Sequence, residues 1–187
     1  MPGSSHLYCQ LAEEGSVSKR ALAENLEEGL KREPNDLRLL AAAYDLAREQ
    51  DDWARRLSCA LQLSKHGKTA ADHVIYGIEC GRNAMPERAE GAFKKALELD
   101  QKSVAALNGL AMCSFERMEL GRAEELFRKS QKAEPNDGAV RMLKKIELLR
   151  KGEAGGIPQE VLEALAGYRV NETIRRTAAE ADGGGRG

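Results

Sequence analysis

The chain repeats itself after 34 residues. Residues 88–95 read RAEGAFKK and residues 122–129 read RAEELFRK, so arginine, alanine, glutamate, phenylalanine and lysine recur in register. The shared alanine is small enough to let two helices approach closely, and the phenylalanine four residues later lies on the same helical face. A period of this length is typical of helix pairs whose apolar faces are buried only by the next pair. The repeat therefore predicts a stacked helical array.

The composition favours helices over strands. The sequence contains 27 Ala and 23 Leu but only 6 Val and 5 Ile, and β-branched residues are the ones that favour pleated sheets. Hydrophobic residues make up 42% of the chain, which excludes a wholly disordered protein. The formal net charge of −1 gives no reason to expect a nucleic-acid partner. No run of about 18 apolar residues occurs, so no membrane insertion is expected.

The segment 104–137 carries a recognisable set of small and large residues: Leu107, Leu110, Ala111, Ser114, Ala123, Phe127, Ser130 and Pro135. This pattern resembles the tetratricopeptide repeat family. Residues 70–103 match next best, although Gln101 stands where the family usually has proline. Residues 36–69 are interpreted as a divergent repeat and residues 7–35 as a degenerate first repeat.

The resemblance implies an all-α fold, a right-handed α-solenoid of stacked antiparallel helix pairs. Helices are predicted near residues 37–49, 53–66, 70–83, 87–99, 104–117, 121–133 and 139–151. The last helix is amphipathic through Val140, Leu143, Ile146 and Leu149. It is predicted to be the capping helix that closes the repeat domain, residues 7–151.

No residue pattern indicates catalysis. The sequence lacks a glycine-rich phosphate loop and a Gly-x-Ser-x-Gly nucleophile turn, and its histidines, His6, His66 and His73, have no metal-ligand spacing. We therefore expect a non-enzyme without cofactor or metal. The four cysteines are widely spaced and are expected to be reduced thiols in the core, which favours a cytoplasmic location. Trp53, the single tryptophan, is interpreted as a packing residue rather than a partner anchor.

In the tetratricopeptide repeat family the first helix of each repeat lines a concave groove. The resemblance therefore implies a partner-binding groove made by these side chains: Leu40, Tyr44, Arg48, Val74, Ile75, Ile78, Arg82, Asn108, Met112 and Phe115. Members that grip the C-terminal carboxylate of chaperones carry lysine, asparagine and arginine at clamp positions. Here Val74, Ile78, Ala105 and Gly109 stand at those positions, so binding of a chaperone tail is disfavoured.

The predicted groove is largely apolar, and a contiguous apolar surface usually has an occupant. The leading hypothesis is a non-catalytic protein–protein interaction adaptor, or scaffold, whose groove binds an apolar or amphipathic helical segment of a partner. The alternative is a structural subunit of a larger multiprotein assembly that makes its contacts through other faces.

Outside the repeat domain the composition changes. Residues 1–6 are expected to be a flexible N-terminus, and residues 152–156 a glycine-rich hinge. Residues 157–180 are expected to form a helical segment, followed by a disordered tail over residues 181–187. The apolar residues of the helical segment leave two alternatives open. The segment packs on the last helix pair as a second cap, or it occupies the groove of its own chain.

Overall fold

The computed structural model describes residues 19–155, which fold into eight α-helices without a strand in that range. The helices are α1 (Lys19–Arg32), α2 (Leu37–Glu49), α3 (Trp53–His66), α4 (Ala70–Arg82), α5 (Pro86–Leu99), α6 (Val104–Glu116), α7 (Leu120–Ala133) and α8 (Asp137–Gly155). The expectations for the N-terminus, the helical segment at 157–180 and the tail at 181–187 concern residues outside the described range.

Helices α2 and α3, α4 and α5, and α6 and α7 form three pairs, and each pair packs against the next. Helix α1 packs on α2, and α8 packs on α7. The predicted all-α solenoid is confirmed, and the bounds of α2 to α7 differ from the predicted bounds by at most one residue. The 34-residue period therefore located both helices of each repeat.

Helix α8 is longer than the sequence indicated. It continues to Gly155, so the backbone is helical over residues 152–155, where a glycine-rich break was predicted. Glycine lowers the stability of a helix interior by about 1 kcal/mol but does not forbid helical backbone angles. A helix that already buries Ile146 and Leu149 in the core can therefore continue through these residues.

Polar side chains in the turns cap the N-terminal ends of α2, α3, α4 and α8. Asp36 accepts hydrogen bonds from the first backbone N–H groups of α2, and Asp52 does so for α3. Thr69 and Asp72 form a reciprocal capping box at the start of α4. Asn136 accepts a bond from the first turn of α8. Each cap satisfies an N–H group that the helix itself leaves unpaired, which fixes where the helix starts.

The ring of Phe93 on α5 fills a space that two glycines leave open. A Cβ atom added to Gly77 on α4 or to Gly109 on α6 would lie closer than 3.0 Å to this ring. The shared alanines of the repeat, Ala89 and Ala123, have no exposed surface. Small residues therefore let the helices approach, and the phenylalanine fills the space between them, as the repeat predicted.

The cysteines that the structure describes, Cys59, Cys80 and Cys113, are buried free thiols. Burial raises the pKa of Cys113 to about 11, so its thiol is protonated at neutral pH.

Trp53 differs from the expectation because it is 54% exposed. It is the first residue of α3, whose buried face begins a turn and a half later at Cys59. The start of the helix therefore projects beyond the core.

A cluster of charged side chains joins α5 to the turn between α6 and α7. The carboxylate of Glu90 lies 2.6 Å from a guanidinium nitrogen of Arg117, 3.2 Å from one of Arg122 and 2.9 Å from the ammonium of Lys94. Hydrogen bonds from Arg117 and Lys94 lower the pKa of Glu90 from its ordinary 4.5 to about 2. The folded state therefore favours the ionised carboxylate.

We expect this cluster to make stability depend on pH. A lowered carboxyl pKa contributes stability that is complete above pH 4.5 and is lost as the pH falls towards 2. Glu90→Gln should lower the free energy of unfolding by about 1 kcal/mol at pH 7, a figure kept small because the arginines are partly solvated. The difference should shrink in urea titrations between pH 4.5 and pH 3. A constant difference across that range would contradict the assignment, and Glu125→Gln, which removes an exposed pair with Lys129, is the control.

We also expect that substitution by glycine in the turns within the helix pairs stabilises the protein. Asp51, Ala84 and Met118 have positive φ angles of 55°, 55° and 60°. A left-handed backbone conformation costs an L-residue about 1–2 kcal/mol, and glycine avoids this cost. Glycine also increases the conformational entropy of the unfolded chain, which cancels part of the gain in stability. Ala84→Gly should therefore raise the free energy of unfolding by about 0.5–1 kcal/mol in urea titration. The control Ala105→Gly, within α6, should lower it by about 1 kcal/mol. Equal destabilisation by both changes would exclude a left-handed residue at position 84.

Candidate partner-binding groove

The structure exposes only part of the predicted groove. Arg48 and Arg82 are exposed, as are Ile78 at 39% and Met112 at 37%. Three more predicted residues are partly buried: Tyr44, Ile75 and Asn108. All of these lie on α2, α4 and α6, the first helices of the three pairs. These seven predicted residues therefore keep exposed surface on one set of helices.

The other three predicted residues, Leu40, Val74 and Phe115, are core residues with exposures of 3%, 8% and 5%. Val74 belongs to the core cluster around Phe93. Phe115 packs with the buried residues of α8, and the ammonium of Lys145 lies 5.4 Å from the centre of its ring. The repeat register gives the direction of a side chain from its own helix, but a neighbouring helix decides whether it is covered.

The exposed and partly buried apolar residues of these helices recur with the 34-residue period. Tyr44, Ile78 and Met112 are 34 residues apart, so they occupy the same position on α2, α4 and α6. Arg48 and Arg82 are also 34 residues apart and lie one helical turn further along. Equivalent positions in stacked repeats are neighbours in space. We call Tyr44, Ile78 and Met112 the apolar stripe and the two arginines its basic edge.

A buried carboxylate lies beneath the stripe. Glu79 has no exposed surface, and its Oε1 atom accepts hydrogen bonds from the hydroxyl of Tyr44 at 2.9 Å and from Arg82 at 2.8 Å. The Nε atom of Arg56 on α3 lies 3.3 Å from Oε2, without hydrogen-bond geometry. Burial and the bond to Glu79 raise the pKa of Tyr44, so its hydroxyl remains a donor. One carboxylate thus connects α2, α3 and α4.

Sequence reasoning missed Glu79. It lies between Ile78 and Cys80, and a carboxylate there looks like one more charge on a solvated helix. The available signal was the pair Glu79 and Arg82, three residues apart and so neighbours on α4. That signal is weak, because the partners from α2 and α3 are distant in the sequence.

A side-chain amide marks the far end of the stripe. The Nδ2 atom of Asn108 on α6 donates to Oδ1 of Asn136 at 3.1 Å, and Asn136 in turn donates to the hydroxyl of Ser130 at 3.0 Å. The Oδ1 atom of Asn108 has no hydrogen-bond partner among the described residues. This oxygen is itself buried, so the unpaired acceptor does not reach the surface of the stripe.

The described residues show neither a metal site nor a membrane span. Residues 19–155 contain no group of three or more histidine, cysteine or acidic side chains that could hold a metal ion. Within the same range no helix is long and apolar enough to cross a membrane.

Comparisons with known proteins agree with this fold. A tetratricopeptide repeat model matches residues 83–146. Among solved structures, YrrB, a tetratricopeptide repeat protein with an unusual peptide-binding site, is 13% identical with a TM-score of 0.67, over 96% of this chain and 90% of that chain. MamA is 14% identical with a TM-score of 0.70, over 95% and 96% of the two chains.

The tetratricopeptide repeat domain of Sgt2 from Aspergillus fumigatus is 18% identical with a TM-score of 0.56, over 64% of this chain and 82% of that chain. No curated protein sequence gives a significant match. The stacked pairs define an α-solenoid, a class whose extended surfaces bind other proteins. Within that class, residues 83–146 match the tetratricopeptide repeat family, and the described residues have the fold of tetratricopeptide repeat solenoids.

We expect Glu79 to be essential for stability. Glu79→Ala should lower the free energy of unfolding by about 3 kcal/mol or more, because it leaves Arg56 and the Tyr44 hydroxyl without their buried partner. Glu79→Gln should cost less, since the amide oxygen still accepts from Tyr44. Urea denaturation measures both, with Glu98→Ala on the exposed face of α5 as a control expected to stay within about 0.5 kcal/mol. A cost for Glu79→Ala as small as that of the control would contradict the buried network.

Proposed function

We propose that the protein is a non-catalytic adaptor whose groove binds an apolar or amphipathic helical segment of a protein partner. The apolar stripe carries this proposal, because Ile78 and Met112 keep more than a third of their surface exposed at equivalent positions of adjacent repeats. An amphipathic helix presents apolar side chains at intervals of three and four residues, which suits a row of apolar anchors.

The polar groups around the stripe suit an amphipathic rather than a wholly apolar segment. Arg48 and Arg82 stand along one side, both more than half exposed, and their nearest carboxylates are Asp45 and Glu79. Asn108 is a partly exposed polar residue at the other end. A bound helix would place apolar residues on the stripe and polar ones towards these groups. Peptide binding by the structurally similar YrrB supports a peptide ligand on this fold.

In the alternative hypothesis, a structural subunit of an assembly, other exposed residues would make the contacts. Trp53, Leu99 and Met118 are each at least half exposed, and none of them lies on α2, α4 or α6. In an assembly these side chains would be covered by a neighbouring subunit. Sedimentation of the purified chain distinguishes the two: the adaptor is a monomer that binds peptides saturably, whereas a subunit associates through these residues.

Peptide binding should depend on the apolar stripe. Amphipathic helical peptides selected from a displayed library are the ligands, and fluorescence anisotropy measures their affinity. Ile78→Ala and Met112→Ala should each weaken binding by about 2 kcal/mol, roughly thirtyfold, because truncated apolar anchors lose most of their contribution. Salt should change the affinity little, since exposed charges contribute little to such an interface.

The matched control is Leu99→Ala, which truncates an apolar side chain that is 54% exposed on a second helix. It should leave peptide affinity unchanged. Equal weakening by Leu99→Ala, or a steep loss of affinity with salt in all variants, would contradict binding on the stripe. Neither Ile78 nor Met112 is buried, so these variants should fold as the parent does.

A further inference from the structure

A second concave site lies away from the groove, between α3, α4 and α5. It is an open cleft of about 510 Å³, and two of its three helices are second helices of their pairs. Four basic side chains line it: Lys65 from α3, His73 from α4, and Arg88 and Lys95 from α5. Leu61 and Ala92 add apolar surface to its walls. We call this site the basic cleft.

The charges of the basic cleft are not balanced. None of the residues that line it is an aspartate or a glutamate. Some lysines and arginines elsewhere form ion pairs, as Arg82, Arg117 and Arg128 do. None of the four basic side chains of the cleft forms an ion pair within the part of the chain that the structure describes. The Nη1 atom of Arg88 donates to Sδ of Met85 at 3.6 Å, which is a neutral acceptor. The basic side chains of the cleft therefore lack an anionic partner.

A glycine, Gly91, lines the cleft. Gly91 lies in the middle of α5, where glycine costs roughly 0.5–1 kcal/mol relative to alanine. Gly77 and Gly109 are needed because Phe93 touches them, but a Cβ atom added to Gly91 meets nothing within 4 Å. Packing against the described residues does not call for a glycine there. Arg88 and Lys95 lie three residues before and four residues after it, on the same face of α5.

We propose that the basic cleft binds the phosphate group of a ligand. A phosphate carries close to two negative charges and several acceptor oxygens, which match an arginine and two lysines better than a single carboxylate does. The guanidinium of Arg88 would bind two oxygens, and the ammonium groups of Lys65 and Lys95 would neutralise the remaining charge. The volume exceeds that of a phosphate alone, so it also accommodates the group that carries the phosphate. This site is independent of the apolar stripe.

Isothermal titration calorimetry tests the proposal with two phosphate sources on the full chain. One is pyrophosphate, and the other is a short phosphoserine peptide compared with its unphosphorylated form. Both contain the phosphate that the cleft would bind. Arg88→Gln combined with Lys95→Gln should weaken binding at least about tenfold, the loss expected for charge-assisted hydrogen bonds. Gly91→Glu, which places a carboxylate among the cations, should abolish it, whereas Gly91→Ala should retain it.

The matched control is Arg38→Gln combined with Lys102→Gln, which removes the same two charges from exposed positions outside the cleft. It should change the affinity less than about twofold. Tighter binding of the phosphopeptide identifies a phosphorylated protein as the source, and equal or tighter binding of pyrophosphate identifies a small phosphate compound. Absence of binding by both, or an equal loss in the control, would overturn the proposal. Melting temperatures of the Gly91 variants that are no lower than that of the parent show that the fold is intact.

Discussion

The contact of Phe93 with two glycines is the constraint on which the array depends. Its ring on α5 reaches Gly77 of its own helix pair and Gly109 of the next pair, so a single side chain sets the spacing of three helices. A helix pair with one apolar face is unstable alone, and stacking buries that face. Phe127 has the equivalent place one repeat later and is 1% exposed. The same phenylalanine position is therefore buried in two successive repeats.

The same stacking creates two unlike surfaces. The first helices of the pairs carry the apolar stripe. The buried carboxylate of Glu79 accepts hydrogen bonds from Tyr44 and Arg82 and so holds these two side chains in place. The basic cleft lies between the second helices α3 and α5 and the first helix α4, and Gly91 lines it. Burying the charge of Glu79 costs free energy that its three polar partners must offset. In return, the carboxylate of Glu79 connects α2, α3 and α4.

Local features were predictable because they depend on neighbours in the sequence. Helix bounds followed from the 34-residue period, so α2 to α7 were placed within one residue, and caps such as Asp36 and Asp52 begin these helices in the structure. The end of α8 was not, because glycines weaken a helix without stopping it. Trp53 was misjudged for a related reason, since the family habit gives an aromatic a packing role whereas this one precedes the buried face of α3.

The sequence by itself determined the repeat, the helical class and the direction in which each side chain leaves its helix, since these follow from periodicity and local hydrogen bonding. Only the tertiary structure decided which of those side chains are covered. Phe115 is hidden because α8 lies over it, and Val74 because α5 packs beside it. Likewise Glu79 meets its partners, and Lys65 and Arg88 come to line one cleft, only after distant helices stack. Coverage and charge pairing are properties of packed helices, and the sequence of one helix does not contain its neighbour.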